Sequence, residues 1–137
     1  MKSLALIASR GSFNSFVQVL TLAMAAVGSG ISVRLFVRDE AVLKVTKKGV
    51  VEINLSDAYR GDETAVRDRV ERQGLADVPA LLREMKELGD LKVYVCSSSL
   101  LIAGASAEDL IPEVDGVLGL TAFLLEDIAS ADRVLSF

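Results

Sequence analysis

Short apolar runs alternate with longer stretches at helical spacing along the whole chain. Residues 4–8 (LALIA) form one such run, ended by Ser9, Arg10, Gly11 and Ser12, a pattern that predicts a buried strand and a turn. Over residues 13–27, Phe16, Val17, Leu20, Met24 and Val27 recur near helical spacing, and Gly28 and Gly30 supply the stop. Residues 31–37 are rich in β-formers, with Arg34 in the middle and Arg38 just beyond. Strand, helix and strand make a βαβ unit, whose crossover gives parallel strands in a right-handed connection.

The same punctuation continues. Residues 39–48 predict a short helix with Ala41, Val42 and Val45 apolar, and residues 50–55 a minor strand. Residues 59–73 are dense in Arg, Asp and Glu and read as an exposed helix or a mobile excursion, and their alternating charge signs favour a solvated face over a binding patch. Asp77 caps a second long helix with Pro79 in its first turn, Leu81, Leu82, Met85 and Leu88 on one face, and Gly89 at its end. Residues 91–95 form the next strand, leading into Cys96 and three serines. A helical turn over 100–103 ends at Gly104, and Ser106 to Asp109 has capping-box spacing with Asp in the usual Glu position. Residues 115–118 are a short loop or strand, 120–131 a last amphipathic helix and 133–137 a terminal strand. This alternation implies an α/β protein with an open, mostly parallel sheet and helices on both faces.

At 137 residues the chain is expected to be one domain over 1–137, with enough length for a core that needs no disulfide or metal. A single cysteine and no histidine fit a reducing, cytoplasmic setting, make structural zinc improbable and remove catalysis by imidazole within one chain. No cofactor and no metal are expected. A formal charge of −4 offers no basic field for nucleic acid. The opening MKSLALIASRGSF begins like a signal peptide, but Arg10 interrupts the apolar run early, and no stretch reaches the length of a membrane span. Hydrophobic residues make up 51% of the chain, an excess explained by burial between subunits, so a homo-oligomer is expected.

Ligands of open α/β sheets bind outside the carboxyl ends of the strands. That rule selects Ser9, Arg10, Gly11 and Ser12 after the first strand, Arg38 after the second, and Cys96, Ser97, Ser98 and Ser99 after the central one. A thiol at the start of a helix has its pKa lowered by the dipole and the free N–H groups, which yields the reactive thiolate. Ser97, Ser98 and Ser99 can cap the next turn or hold an anion, and Arg10 and Arg38 can neutralise one. Sulfur transfer suits this set, because a thiolate attacking sulfur needs no general base. A peroxidatic thiol follows the same logic but lacks a resolving cysteine in the chain.

These residues resemble the DsrE/DsrF-like family of small sulfur-trafficking proteins, particularly its DsrE-like, peroxiredoxin-like branch. LTLAMAAVGSGISVRLFV (20–37) looks like that branch's first helix and second strand. LKVYVCSSSLLIAGASAEDLIPEVDGVLGLTAFLLEDIASADRVLSF (91–137) looks like its cysteine strand, Gly-x-x-x-Glu-Asp-Leu segment and last helix and strand. The resemblance implies a three-layer α/β/α sandwich with a parallel five-stranded sheet, a trimer or hexamer, and Cys96 as the residue that accepts or hands on sulfane sulfur or thiosulfate. It also implies sulfur donor or acceptor proteins as partners, with the chain acting as a sulfurtransferase or sulfur carrier. The alternative is a non-catalytic oligomeric subunit or small-ligand-binding module with a buried structural cysteine.

Overall fold

The computed structural model describes residues 1–137 and is an α/β/α sandwich. In chain order its strands and helices are β1 (Ser3–Ala8), α1 (Phe13–Gly28), β2 (Ser32–Val37), α2 (Glu63–Arg72), α3 (Val78–Leu88), β3 (Leu91–Cys96), α4 (Ser97–Ile102), β4 (Gly116–Leu118), α5 (Leu120–Phe123) and β5 (Arg133–Ser136). Short 3-10 helices cover Asp39–Val45, Asp57–Tyr59 and Ala107–Asp109. The five strands are all parallel in the order β4-β3-β2-β1-β5, so β1, β2 and β3 lie side by side.

The register explains the composition of each face. Ala5 and Ile7 share one face with Arg34, Phe36, Lys92, Tyr94 and Cys96, while Leu4, Leu6, Val33, Leu35, Val37, Val93 and Val95 share the other. On the second of these faces, α1 and α3 lay down Phe16, Leu20, Leu82 and Met85, and the result is a core of 28 buried residues. Phe36 and Cys96 on the first face are buried with only Ala5 and Phe123, a cluster of 4. That layer is supplied by one segment, α5, whose last turn widens into a π-turn at Leu124–Ile128. Both faces are covered, but very unequally.

Local signals act as their chemistry requires. Ser12 caps α1 by accepting from the Ser15 N–H, and Asp77 caps α3 through the Ala80 N–H at 3.0 Å. The Ser106–Asp109 capping box forms with both reciprocal bonds. Residues 50–55, expected as a strand, pair with no strand. Their backbone is taken up elsewhere: the buried Lys44 ammonium binds the carbonyls of Gly49 and Glu52 and the Asn54 side chain, and the Phe13 N–H donates to the Asn54 carbonyl. No helix is long and apolar enough to cross a membrane.

Candidate functional site

The alternation of β3 places Cys96 on the thinly covered face beside Tyr94, and the strand ends on it in an extended conformation that also caps α4. Its side chain is completely buried. The Sγ atom lies 3.3 Å from the Ser98 hydroxyl. Burial pushes the thiol pKa up, but hydrogen bonds from the hydroxyls and backbone N–H groups of Ser98 and Ser99 outweigh it. The net result is a fall from an ordinary value of 9.0 to about 7. A thiol that is half ionised near neutrality is a competent nucleophile toward sulfur once a donor reaches it.

The three serines divide their roles. None of their side chains caps α4, because Cys96 itself occupies the cap position, a correction to the capping expectation. Ser97 is half-buried, Ser98 is exposed and turns its hydroxyl to the thiol, and Ser99 is buried with its oxygen accepting from the Asp39 N–H at 2.9 Å. That last bond ties the first turn of α4 to the turn after β2. Asp39 is the only non-glycine residue with a positive φ, 47°. Its left-handed turn sends the chain across the carboxyl edge directly after Arg38.

The two arginines differ. Val37 pairs with Val95, and Arg38 and Cys96 are the next residues on these adjacent strands, so they occupy the following register position on one face. The Nε of Arg38 is buried and has no hydrogen-bond partner. Arg10 is exposed and lies beyond β1, one strand further from the thiol. The β1–α1 loop that carries it packs tightly on the edge: a Cβ on Gly11 would meet the Glu40 Cβ at 2.7 Å, and the Asn54 side chain donates to the Gly11 carbonyl at 3.0 Å. Asn54 in turn accepts from Lys44. The buried ammonium thus fixes the loop at one corner of the site.

Residue patterns alone did not single out Phe36, Phe123 or Asp127. Phe36 and Phe123 stack with ring centroids 4.3 Å apart and planes within 8°, and they form one cluster with the cysteine. Two residues back on β2, Arg34 makes a two-pronged pair with Asp90, both contacts 3.0 Å, and reaches Asp127 of the π-turn at 3.8 Å. The available signal was Arg34 itself, a charge in the middle of a strand.

The chain belongs to the DsrE/DsrF-like family, whose model matches residues 2–137. This family is associated with sulfur relay. Among solved structures it is similar to a protein of unknown function from Methanobacterium thermoautotrophicum, with a TM-score of 0.65 at 11% identity, and to the ychN protein from E. coli, with a TM-score of 0.63 at 22% identity. Each match covers 100% of both chains, and at these identities each shows the shared fold. No curated protein matches the chain.

Proposed function

We propose that the protein is an intracellular sulfur-trafficking protein whose Cys96 thiolate accepts sulfane sulfur or a thiosulfate group and passes it on, as a sulfurtransferase or sulfur carrier. The observation that carries the reading is the pairing of Cys96 with Ser98 at the head of α4, with the buried, unpartnered Nε of Arg38 on the neighbouring strand. With a persulfide donor, the thiolate attacks the outer sulfur of R–S–SH. A new S–S bond forms on Cys96, the donor's S–S bond breaks, and R–SH leaves with the proton. With tetrathionate, the thiolate attacks an inner sulfur, the central S–S bond breaks, and Cys96 Sγ–S–SO3− forms as thiosulfate leaves. Arg38 offsets the charge of the bound group, Ser97, Ser98 and Ser99 orient it, and Arg10 attracts anions to the edge.

The assembly reading belongs with this one. Leu101 and Ile102 on α4 are 77% and 82% exposed. Apolar surface of this kind supports a homo-oligomer, a trimer or hexamer, with a donor or acceptor protein meeting the carboxyl edge. One observation favours the alternative of a structural cysteine: the thiol is fully buried. Native protein incubated with polysulfide and with tetrathionate separates the two by intact mass. The sulfur reading predicts a reductant-labile adduct that Cys96→Ser abolishes without changing assembly. Loss of assembly in Cys96→Ser, with no adduct on the folded parent, would establish the structural role.

A further inference from the structure

A fully buried thiol cannot meet a donor sulfur, so whatever covers it decides when it reacts. On the apolar side of the thiol the buried cover is a single short segment. Phe123, buried at the end of α5, stacks on Phe36, and Asp127 in the π-turn reaches Arg34, two residues away on the same strand. The segment is therefore attached to β2 at two points along its length, and Ile128 and Ala131 add partly buried contacts. Its far end is tied down separately. The Asp132 carboxylate accepts the N–H groups of Lys2 at 2.6 Å and Ser3 at 3.0 Å. Its near end, after Leu118, has no comparable side-chain tie, and the outward residues Leu120, Leu124 and Leu125 lie in solvent.

Resting on the reading that Cys96 is a reactive thiol, we propose that residues 120–128 form a strap that gates it, with Phe123 as the cover and the Arg34–Asp127 contact as the latch. The strap pivots at its Asp132 end and lifts at the end that follows β4. Phe123 and Asp127 act as positioning residues, which touch neither donor nor product sulfur and set the fraction of time the thiol is open. The latch is weak by construction. Its atoms stand 3.8 Å apart, and Arg34 spends its two-pronged contact on Asp90 instead. Burial pushes the Asp127 carboxyl pKa up while Arg34 pulls it down, so desolvation works against the pair that holds the strap shut. Regions buried by few side chains open locally at a fraction of the global unfolding free energy, and this layer has 4 buried residues where the opposite one has 28.

The test uses an uncharged probe, 2,2′-dithiodipyridine, on the folded protein and follows thiopyridone release. Phe123→Ala is expected to speed modification of Cys96 by about tenfold or more and Asp127→Asn by about threefold. Glu126→Gln, a neighbour that does not contact Arg34, leaves the rate unchanged. Because Phe123→Ala can lower stability, the parent is also titrated with urea below its transition. Gating predicts that the logarithm of the rate rises with a slope well under that of global unfolding. Equal slopes, or Asp127→Asn and Phe123→Ala reacting at the parental rate while folded, would overturn the strap. The probe requires no sulfur transfer, so a protein that opens as predicted yet takes no sulfane sulfur refutes the proposed function and leaves the gate standing.

Discussion

The two faces of the sheet solve different problems with the same strands. One carries Leu4, Leu6, Val33, Leu35, Val93 and Val95 against two full helices, α1 and α3, and holds nearly all of the buried core. The other carries Ala5, Arg34, Phe36, Tyr94 and Cys96 against one short segment with a π-turn. Fold stability therefore rests on the first face, while the second is thin enough to open without unfolding the protein. The only thiol in the chain sits on the thin face, at the carboxyl edge where the loops of three adjacent strands meet. A reactive residue on the thick face would be locked away for as long as the protein stayed folded.

Substitutions should separate the faces. Phe16→Ala, in the thick core, is expected to cost about 3–5 kcal/mol in urea unfolding, because the hole cannot collapse against two rigid helices. A loss below about 1 kcal/mol would mean that the thick face is not the stabilising one. Lys44→Ala comes next. It removes the ammonium shared by Gly49, Glu52 and Asn54 and should cost about 2–3 kcal/mol, loosening the β1–α1 loop, with the Phe13 amide that donates to the Asn54 carbonyl exchanging faster. Unchanged exchange at this amide would show that the loop is held by packing alone.

On the thin face the expected effects fall on reactivity. Folding depresses the Cys96 pKa from 9.0 to about 7, so ionisation favours the folded state: stability should rise as pH climbs through 7 toward 9, and thiol modification should titrate with a midpoint near 7. Ser98→Ala removes one hydroxyl from the thiolate and should move that midpoint up with little change in stability, since Ser98 is exposed. Ser99→Ala should move it up as well and cost about 1–2 kcal/mol, because the Asp39 N–H then loses its partner. A midpoint that stays fixed in both variants would remove the hydrogen-bond explanation of the low pKa.

The smallest effect lies at the Arg34 fork. Hydrogen bonding to Arg34 holds the Asp90 carboxyl below its ordinary 3.8, so its contribution is present above that value and is lost as pH falls through the lower, folded-state one. The pair is partly exposed, with side chains 29% and 48% accessible, so Asp90→Asn should flatten the acid limb of the stability curve by under about 1 kcal/mol. An unchanged acid limb would mean that the fork contributes nothing measurable.

Much of the fold was legible because periodicity and punctuation agree: the first βαβ unit, the Asp77 cap, the Ser106–Asp109 capping box and the closing strand stand where the sequence pattern places them. Residues 50–55 misled because Val50, Val51 and Ile53 carry strand propensity, whereas their backbone partners, Lys44 and Phe13, are fixed by tertiary contacts that no local window contains. The 120–131 helix was legible as an element, but its widening at Leu124–Ile128 was not, since one extra residue per turn leaves no compositional trace. For the candidate site, the strand-end rule selects Cys96, Arg38 and the serines, which lie at the ends of the adjacent strands β2 and β3. The division of labour among the serines depends on Asp39, whose left-handed backbone is invisible in an Asp-Glu pair. Phe123 and Asp127 read as an ordinary amphipathic face until the π-turn sets them over Phe36 and Arg34.

The most direct test of the account is the intact mass of the native protein exposed to tetrathionate across a pH series, with Cys96→Ser alongside. The account predicts a single thiosulfate adduct that reductant removes, forming faster as pH rises through about 7 and absent without Cys96. A parent mass that stays unmodified at every pH while folded, yet takes the adduct in urea, would contradict it and leave Cys96 as a structural thiol.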